Sequence, residues 1–266
     1  MNKSLFKNKK RPGFEVQDKG DVTEIYIYDE IGFFGVDAQS FAQELKGVKG
    51  EVKIRINSPG GSVFDGMAIY NAIREHKSKT TTIVDGLAAS AASYIALAGD
   101  EVHMAEGAFF MIHEPYTVMV GTADDMRKEA DLLDKINDQI VQFYAQKSGK
   151  TSDEIKVKMK DETWFNGPEA FDFGLVDQVI EAQTAENLFD LSVFNNVPEK
   201  LTQSTDTGDR PARKEVESAL RNVGFSRQEA KAFYSNGKKA LTALEPIDED
   251  GTWAAAKCLE LSMRGI

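Results

Sequence analysis

Two strand-like runs, VKIRI at 52–56 and TTIVD at 81–85, each lead through small residues into a helix. The first passes through Asn57-Ser58-Pro59-Gly60-Gly61-Ser62, and Phe64, Met67, Ala68, Tyr70 and Ile73 then recur at helical spacing. The second passes through the run DGLAASAAS into a helix expected over 91–98. Strand, turn and helix in repetition mean parallel strands joined by right-handed crossovers, because a parallel neighbour cannot be reached by a hairpin. The chain is therefore α/β. In an open parallel sheet, adjacent strand ends converge on one crevice, so the two small-residue turns are expected to face each other there.

The rest of the chain extends this pattern. VTEIYIY at 22–28 alternates like a strand, and Asp37 is placed to cap a short helix through Leu45. EVHMAE and AFFMIH both read as strands. Thr122 and Asp125 form a capping box. Behind it, Met126, Ala130, Leu133, Ile136, Ile140 and Phe143 or Tyr144 recur on one side of a long helix that stops near Gly149. Thr151 and Ser152 open a shorter helix ending about Lys160; Asn166-Gly167-Pro168 opens another, and LVDQVI at 175–180 closes the domain as a strand. After Val197 the composition turns polar and rich in turn formers, with two helices expected beyond it, one over 211–223 and one opening at Ser226. The domains expected are a flexible arm at 1–14, a main domain at 15–197, a linker at 198–213 and a helical tail at 214–266.

Composition narrows the function. Apolar residues make up 41% and charged residues 28%, enough for a packed core. A net charge of −11 argues against general nucleic-acid or anionic-membrane binding, since both need a positive surface. The lone Cys258 rules out an intramolecular disulfide or a thiolate metal cluster. The basic start lacks the apolar stretch of a signal peptide, and no apolar run approaches the roughly 18 residues of a membrane span, so a soluble protein of a reducing compartment is expected.

Only three histidines can serve as a base: His76, His103 and His113. His76 lies at the polar end of a helix, and His103 alternates onto a surface position. His113 follows the apolar run AFFMI and precedes Glu114-Pro115, at a strand end where a reactive side chain can be held. Ser90 stands at the strand-to-helix junction of the second turn. It can cap the helix, or it can act as a nucleophile aided by the free N–H groups there. Ser93, three residues on, is expected to be a packed small residue whose loss is nearly neutral. The Gly60-Gly61 turn lacks the spacing and lysine of a P-loop.

The blocks INSPGGSVFDGMAIYNAI, DGLAASAAS, FFMIHEP and ETWFNGPEAFDFGLVDQV, in this order, resemble the ClpP family of serine peptidases over about 22–180. The resemblance implies the spiral of β-β-α units shared with crotonases, a protruding long helix, and no metal or cofactor. It maps the nucleophile to Ser90, the base to His113 and the oxyanion-hole N–H groups to Gly61 and Ala91. The acid falls just before the P-E-A block. Gapless pairing puts Glu162 there, while the adjacent Asp161 has the residue type of the housekeeping enzymes; the two remain alternatives.

The extra C-terminal residues and divergent N-terminal region are similar to the ClpP-like head maturation proteases of tailed phages and prophages. That resemblance implies an ATP-independent serine endopeptidase in the immature capsid within the host cytoplasm, cutting scaffold and major capsid precursors. The ClpP resemblance itself implies a homo-oligomeric ring built on the long helix, and the net charge leaves no nucleic-acid or membrane partner expected. The alternatives are a housekeeping ClpP peptidase working with an ATPase, a crotonase-like acyl-CoA enzyme and an inactive structural capsid-assembly protein.

Overall fold

The structure, a computed structural model, describes residues 13–33, 35–181, 189, 191 and 193–202. These all fall in the first of the two units into which the chain divides, Met1–Asp206. The first twelve residues, most of the expected linker and the whole expected tail lie outside the described residues.

The elements run β1 (Phe14–Asp18), β2 (Val22–Ile27), α1 (Ala38–Gly47), β3 (Glu51–Ser58), α2 (Val63–Arg74), β4 (Thr80–Ala89), α3 (Ala91–Ala96), β5 (Glu101–Ala105) and β6 (Phe109–Ile112). They continue with α4 (Ala123–Ser148), α5 (Ser152–Lys160), β7 (Thr163–Asn166), α6 (Gly167–Phe173), β8 (Gln178–Ile180) and α7 (Glu199–Thr202). The mixed α/β architecture expected from the crossovers is present. Strand order is β1-β2-β3-β4-β5-β8, with β2, β3, β4, β5 and β8 mutually parallel and β1 antiparallel at the edge.

Strand β4 is the pivot. All ten of its residues are buried, so it shows no alternation, as a strand covered on both faces should not. Its first half pairs with β5 through Thr81–Val84, and its last residues, Leu87–Ala89, pair instead with β6. Between these halves the buried Asp85 is tied to Tyr28 Oη at 2.6 Å and Arg55 Nε at 2.9 Å, with Arg55 Nη2 on its other oxygen. Those bonds satisfy a charge that would be costly to bury alone. The sequence pattern predicts that this strand ends at Asp85 and that the next residues form a turn. In the fold they remain strand, because small residues there let β3 and β6 approach on either side.

Two further strands escaped the sequence reading. Strand β1 starts at Phe14, the last residue of the expected arm, and buries only that side chain, against Phe41 at 5.6 Å; one buried position makes no period-2 signal. Strand β7 has four residues between two helices. The expected linker also begins later, since α7 lies within it and Leu201 is 8% exposed.

The helix starts agree with their caps. Thr122 with Asp125, Thr151 with Glu154 and Asn166 with Glu169 each form reciprocal capping boxes at the heads of α4, α5 and α6. Helix α1 packs on α2, α2 on α3, and α3 on β4 and α4. The stripe along α4 divides in two. Ile140, Val141 and Tyr144 are buried in the protomer's own core, and Ile136 and Phe143 pack against it. Met126 is 52% exposed, Ala130 is exposed and Leu133 is half-buried. Only the N-terminal half of the stripe is thus free for a partner, and Ile140 is not part of such a surface. Replacing Ile140 with Asp places an unpaired charge in the core and should cost about 3–5 kcal/mol. Thermal denaturation should show a lower midpoint for Ile140→Asp and little change for Met126→Asp; equal midpoints would contradict this division.

Candidate active site

Ser90 follows β4 directly and occupies the cap position of α3 with φ 53° and ψ −123°. Together with Glu162 at φ 47°, it is one of the two non-glycine residues with positive φ among those described. Such a conformation costs about 1–3 kcal/mol and persists only where neighbours enforce it. They do so here. Ser90 N–H donates to Met111 O on β6 at 3.1 Å, and its carbonyl accepts from Ser93 N–H at 3.0 Å and Ser93 Oγ at 2.5 Å. The Ser90 side chain makes no capping bond to α3. Its Oγ lies 2.8 Å from His113 Nε2 instead, so the capping alternative does not hold.

Strand pairing explains why these groups meet. The parallel register of β4 and β6 sets Ala89 beside Met111, so each strand delivers its reactive residue just past its end. Strand β7 runs antiparallel to β6 and sets Ile112 opposite Thr163. The next position on each strand is His113 on one side and Glu162 on the other. Glu162 is buried, whereas Asp161 is exposed and caps α5 through its backbone N–H to Val157 O at 3.1 Å. Of the two acid candidates, Glu162 is the one the fold brings to His113. Among the described residues, however, its carboxylate bonds Asn195, Asn196 and Trp164 rather than the imidazole. Burial holds the His113 pKa below its ordinary value, and the Glu162 charge opposes that shift. Burial also works to raise the Glu162 pKa, but the Asn195 and Asn196 amides and Trp164 more than offset it, leaving the group lowered.

The glycine turn sits against the serine turn. Ile31 N–H donates to Gly60 O at 2.7 Å and Ser62 N–H to Ile31 O at 2.9 Å, clamping the loop from both sides of Gly61. Gly60 has φ 91° and Gly61 φ 141°. A Cβ on Gly60 would stand 2.7 Å from Ser90 Cβ and 2.8 Å from Ala91 N, and one on Gly61 only 2.2 Å from Ile31 O. Only glycine lets the two turns come this close. Ala91 opens α3, where a helix leaves its first N–H groups without intrahelical partners. A cavity of about 530 Å³ lies between the turns, lined by Gly60, Gly61, Ser90, His113 and Tyr116. A hydroxyl bonded to a largely neutral imidazole, beside such N–H groups, can attack a carbonyl and stabilise the resulting oxyanion.

The other two histidines lie apart from this centre: His76 Nε2 meets Gly50 O at 3.2 Å, and His103 Nε2 lies 3.4 Å from Glu101. Two features were missed by sequence reasoning. Asp29, Glu30, Phe189, Val193 and Phe194 also line the cavity, and no motif marks them. Ser93 is buried as expected, but it also links Ser90 O to the Tyr144 hydroxyl, which lies 2.6 Å from its Oγ. Helix α4 is thereby tied to the Ser90 turn. Ser93→Ala would strand the buried Tyr144 hydroxyl and loosen Ser90, at a cost of about 1–3 kcal/mol rather than nearly zero. Denaturant unfolding should show this loss, largely recovered in Ser93→Ala/Tyr144→Phe; a neutral single variant would disprove the link.

The Clp protease family model, described as Clp protease, matches residues 35–183. The ATP-dependent Clp protease proteolytic subunit 1 of Leifsonia xyli subsp. xyli (strain CTCB07) is 32% identical over 136 residues, covering 50% of this chain and 69% of that protein. Among solved structures, a ClpP1 mutant from Listeria monocytogenes matches with a TM-score of 0.54 at 25% identity, over 60% of this chain and 92% of that one. With the family's match spanning both turns and strands β6 and β7, this chain belongs to the Clp protease family.

Proposed function

We propose that the chain is a serine endopeptidase in which Ser90 is the nucleophile, His113 the general base and Glu162 the acid. The observation that carries this is the 2.8 Å bond between Ser90 Oγ and His113 Nε2 at a strained strand end. Ser90 Oγ attacks the scissile carbonyl while His113 Nε2 takes its proton. The negative charge passes to the carbonyl oxygen, which Gly61 and Ala91 N–H groups stabilise; one such donor is typically worth about 3–4 kcal/mol. The imidazolium then protonates the leaving amine, and a water repeats the sequence to free Ser90. Glu162 supplies the negative charge that favours the imidazolium. No step calls for a metal or cofactor.

A narrower reading is head maturation: ATP-independent cleavage of scaffold and major capsid precursors inside an immature phage capsid in the host cytoplasm. The residues beyond the family match, 184–266, support it. The Leifsonia relative's description as the proteolytic subunit of an ATP-dependent protease supports the housekeeping alternative equally. Cleavage of folded capsid precursors by the protein alone would favour the first; cleavage only with an added ATPase unfoldase would favour the second. We also infer a homo-oligomeric ring that uses the exposed first half of α4.

Ser90→Ala should lower kcat by at least about 10⁴-fold without unfolding the protein. Because His113 must be neutral to accept a proton and burial lowers its pKa, kcat/KM should fall on acidification with its midpoint below the ordinary imidazole value of about 6.5. A Ser90→Ala enzyme of undiminished activity, or a midpoint well above that value, would overturn the assignment. For assembly, Met126→Asp combined with Leu133→Asp should give smaller particles by light scattering while the fold survives. A double variant identical in size to the parent would remove α4 from the interface.

A further inference from the structure

The acid is held by a part of the chain beyond the family match at 35–183. Asn195 N–H lies 2.8 and 2.9 Å from the two Glu162 oxygens, and Asn196 N–H donates to Oε1 at 2.6 Å. Asn195 Nδ2 adds a bond to Oε2 at 3.2 Å, and Trp164 Nε1 one to Oε1 at 3.3 Å. A return tie runs from Asn196 Nδ2 to Asp161 O at 2.9 Å. Successive backbone N–H groups converging on one carboxylate form an anion cradle, which fixes the group in place and favours its ionised form.

This segment is anchored. Leu191 and Leu201 are buried on either side of it, in one cluster with Leu87 and Ala89 of β4 and Met111 of β6. The Phe194 ring stands edge-on to both His113, at 5.6 Å, and Trp164, at 5.8 Å. The cradle is therefore built on the two strands that carry the nucleophile and the base. Glu162, at its strained φ of 47°, is held at both ends.

We propose that residues 193–197 are a positioning element of the peptidase centre: the Asn195 and Asn196 amides hold the Glu162 carboxylate as an anion beside His113, acting on the imidazole through space. The proposal rests on Glu162 being the acid. Other charged or titratable groups near the pair are Asp29 and Glu30 across the cavity, Tyr116 with its ring 5.8 Å from His113, and the exposed Glu114, Lys160 and Asp161. The Glu162 charge works to raise the His113 pKa. Loss of the cradle frees the carboxylate to swing into water. His113 then loses its favourable anion, and its protonation midpoint moves down.

The test compares Asn196→Pro, which lacks the backbone N–H, with Asn196→Ala, which keeps it, in the full-length protein on a chromogenic peptide. Asn196→Pro should have a kcat at least about 10-fold below Asn196→Ala with KM within about twofold, because the interaction matters in the transition state. Its kcat/KM limb should also move to lower pH, the direction produced by Glu162→Gln. Equal kcat and equal pH limbs in the two Asn196 variants would overturn the proposal. So would a faster Asn196→Pro with its limb moved to higher pH, since the freed carboxylate would then be bonding His113 directly. A fully active Glu162→Gln would instead sink the acid assignment itself. Should Asn196→Pro fail to fold by circular dichroism, Asn195→Pro compared with Asn195→Ala decides. It removes the backbone N–H shared by both Glu162 oxygens, and a folded Asn195→Pro whose kcat and limb equal those of Asn195→Ala overturns the cradle.

Discussion

Strand β4 pairs with β3 along its length, with β5 over its first half and with β6 over its last three residues. The change of partner near Asp85 is what places two strand ends side by side. Ser90 and His113 are each the first residue past those ends, and the Ser90 N–H to Met111 O bond closes the gap between them. Every other feature of the site is arranged around that junction. The glycine turn leans on it, β7 lies along the outer edge of β6, and α4 reaches it through Tyr144 and Ser93.

The junction stores strain, and the strain has a purpose. With its φ positive, Ser90 presents Oγ to the imidazole and leaves the helix it caps without a side-chain bond. A cost of about 1–3 kcal/mol at each of Ser90 and Glu162 is offset by hydrogen bonds to nearby residues. Ser93 holds the Ser90 carbonyl, and Glu162 N–H donates to Met159 O at 3.0 Å. Both strained residues are candidates for the triad, and each backbone is held by a residue three positions away.

Much of this was legible before the fold. The two small-residue turns, the single histidine at an apolar strand end and the capping box of Thr122 with Asp125 all depend on residue types within a few positions of one another. What was hidden depends on pairing. Which of Asp161 and Glu162 lies beside His113 follows from the antiparallel register of β7 on β6, and TWFN carries no signal of that register. Ser93 looked like a packed small residue because Tyr144 lies 51 positions away. Asn195 and Asn196 act through backbone N–H groups, which no side-chain motif records. The apolar stripe on α4 was read as a single surface, but its C-terminal half is spent inside the protomer at Ile140 and Tyr144.

The central claim is that Ser90 is a nucleophile activated by His113. Labelling the protein with a fluorophosphonate and locating the adduct by peptide mass spectrometry tests it directly. The account predicts one phosphonylated site, at Ser90, with labelling that collapses in His113→Ala. An adduct on another serine, or labelling of Ser90 that is indifferent to His113, would contradict it.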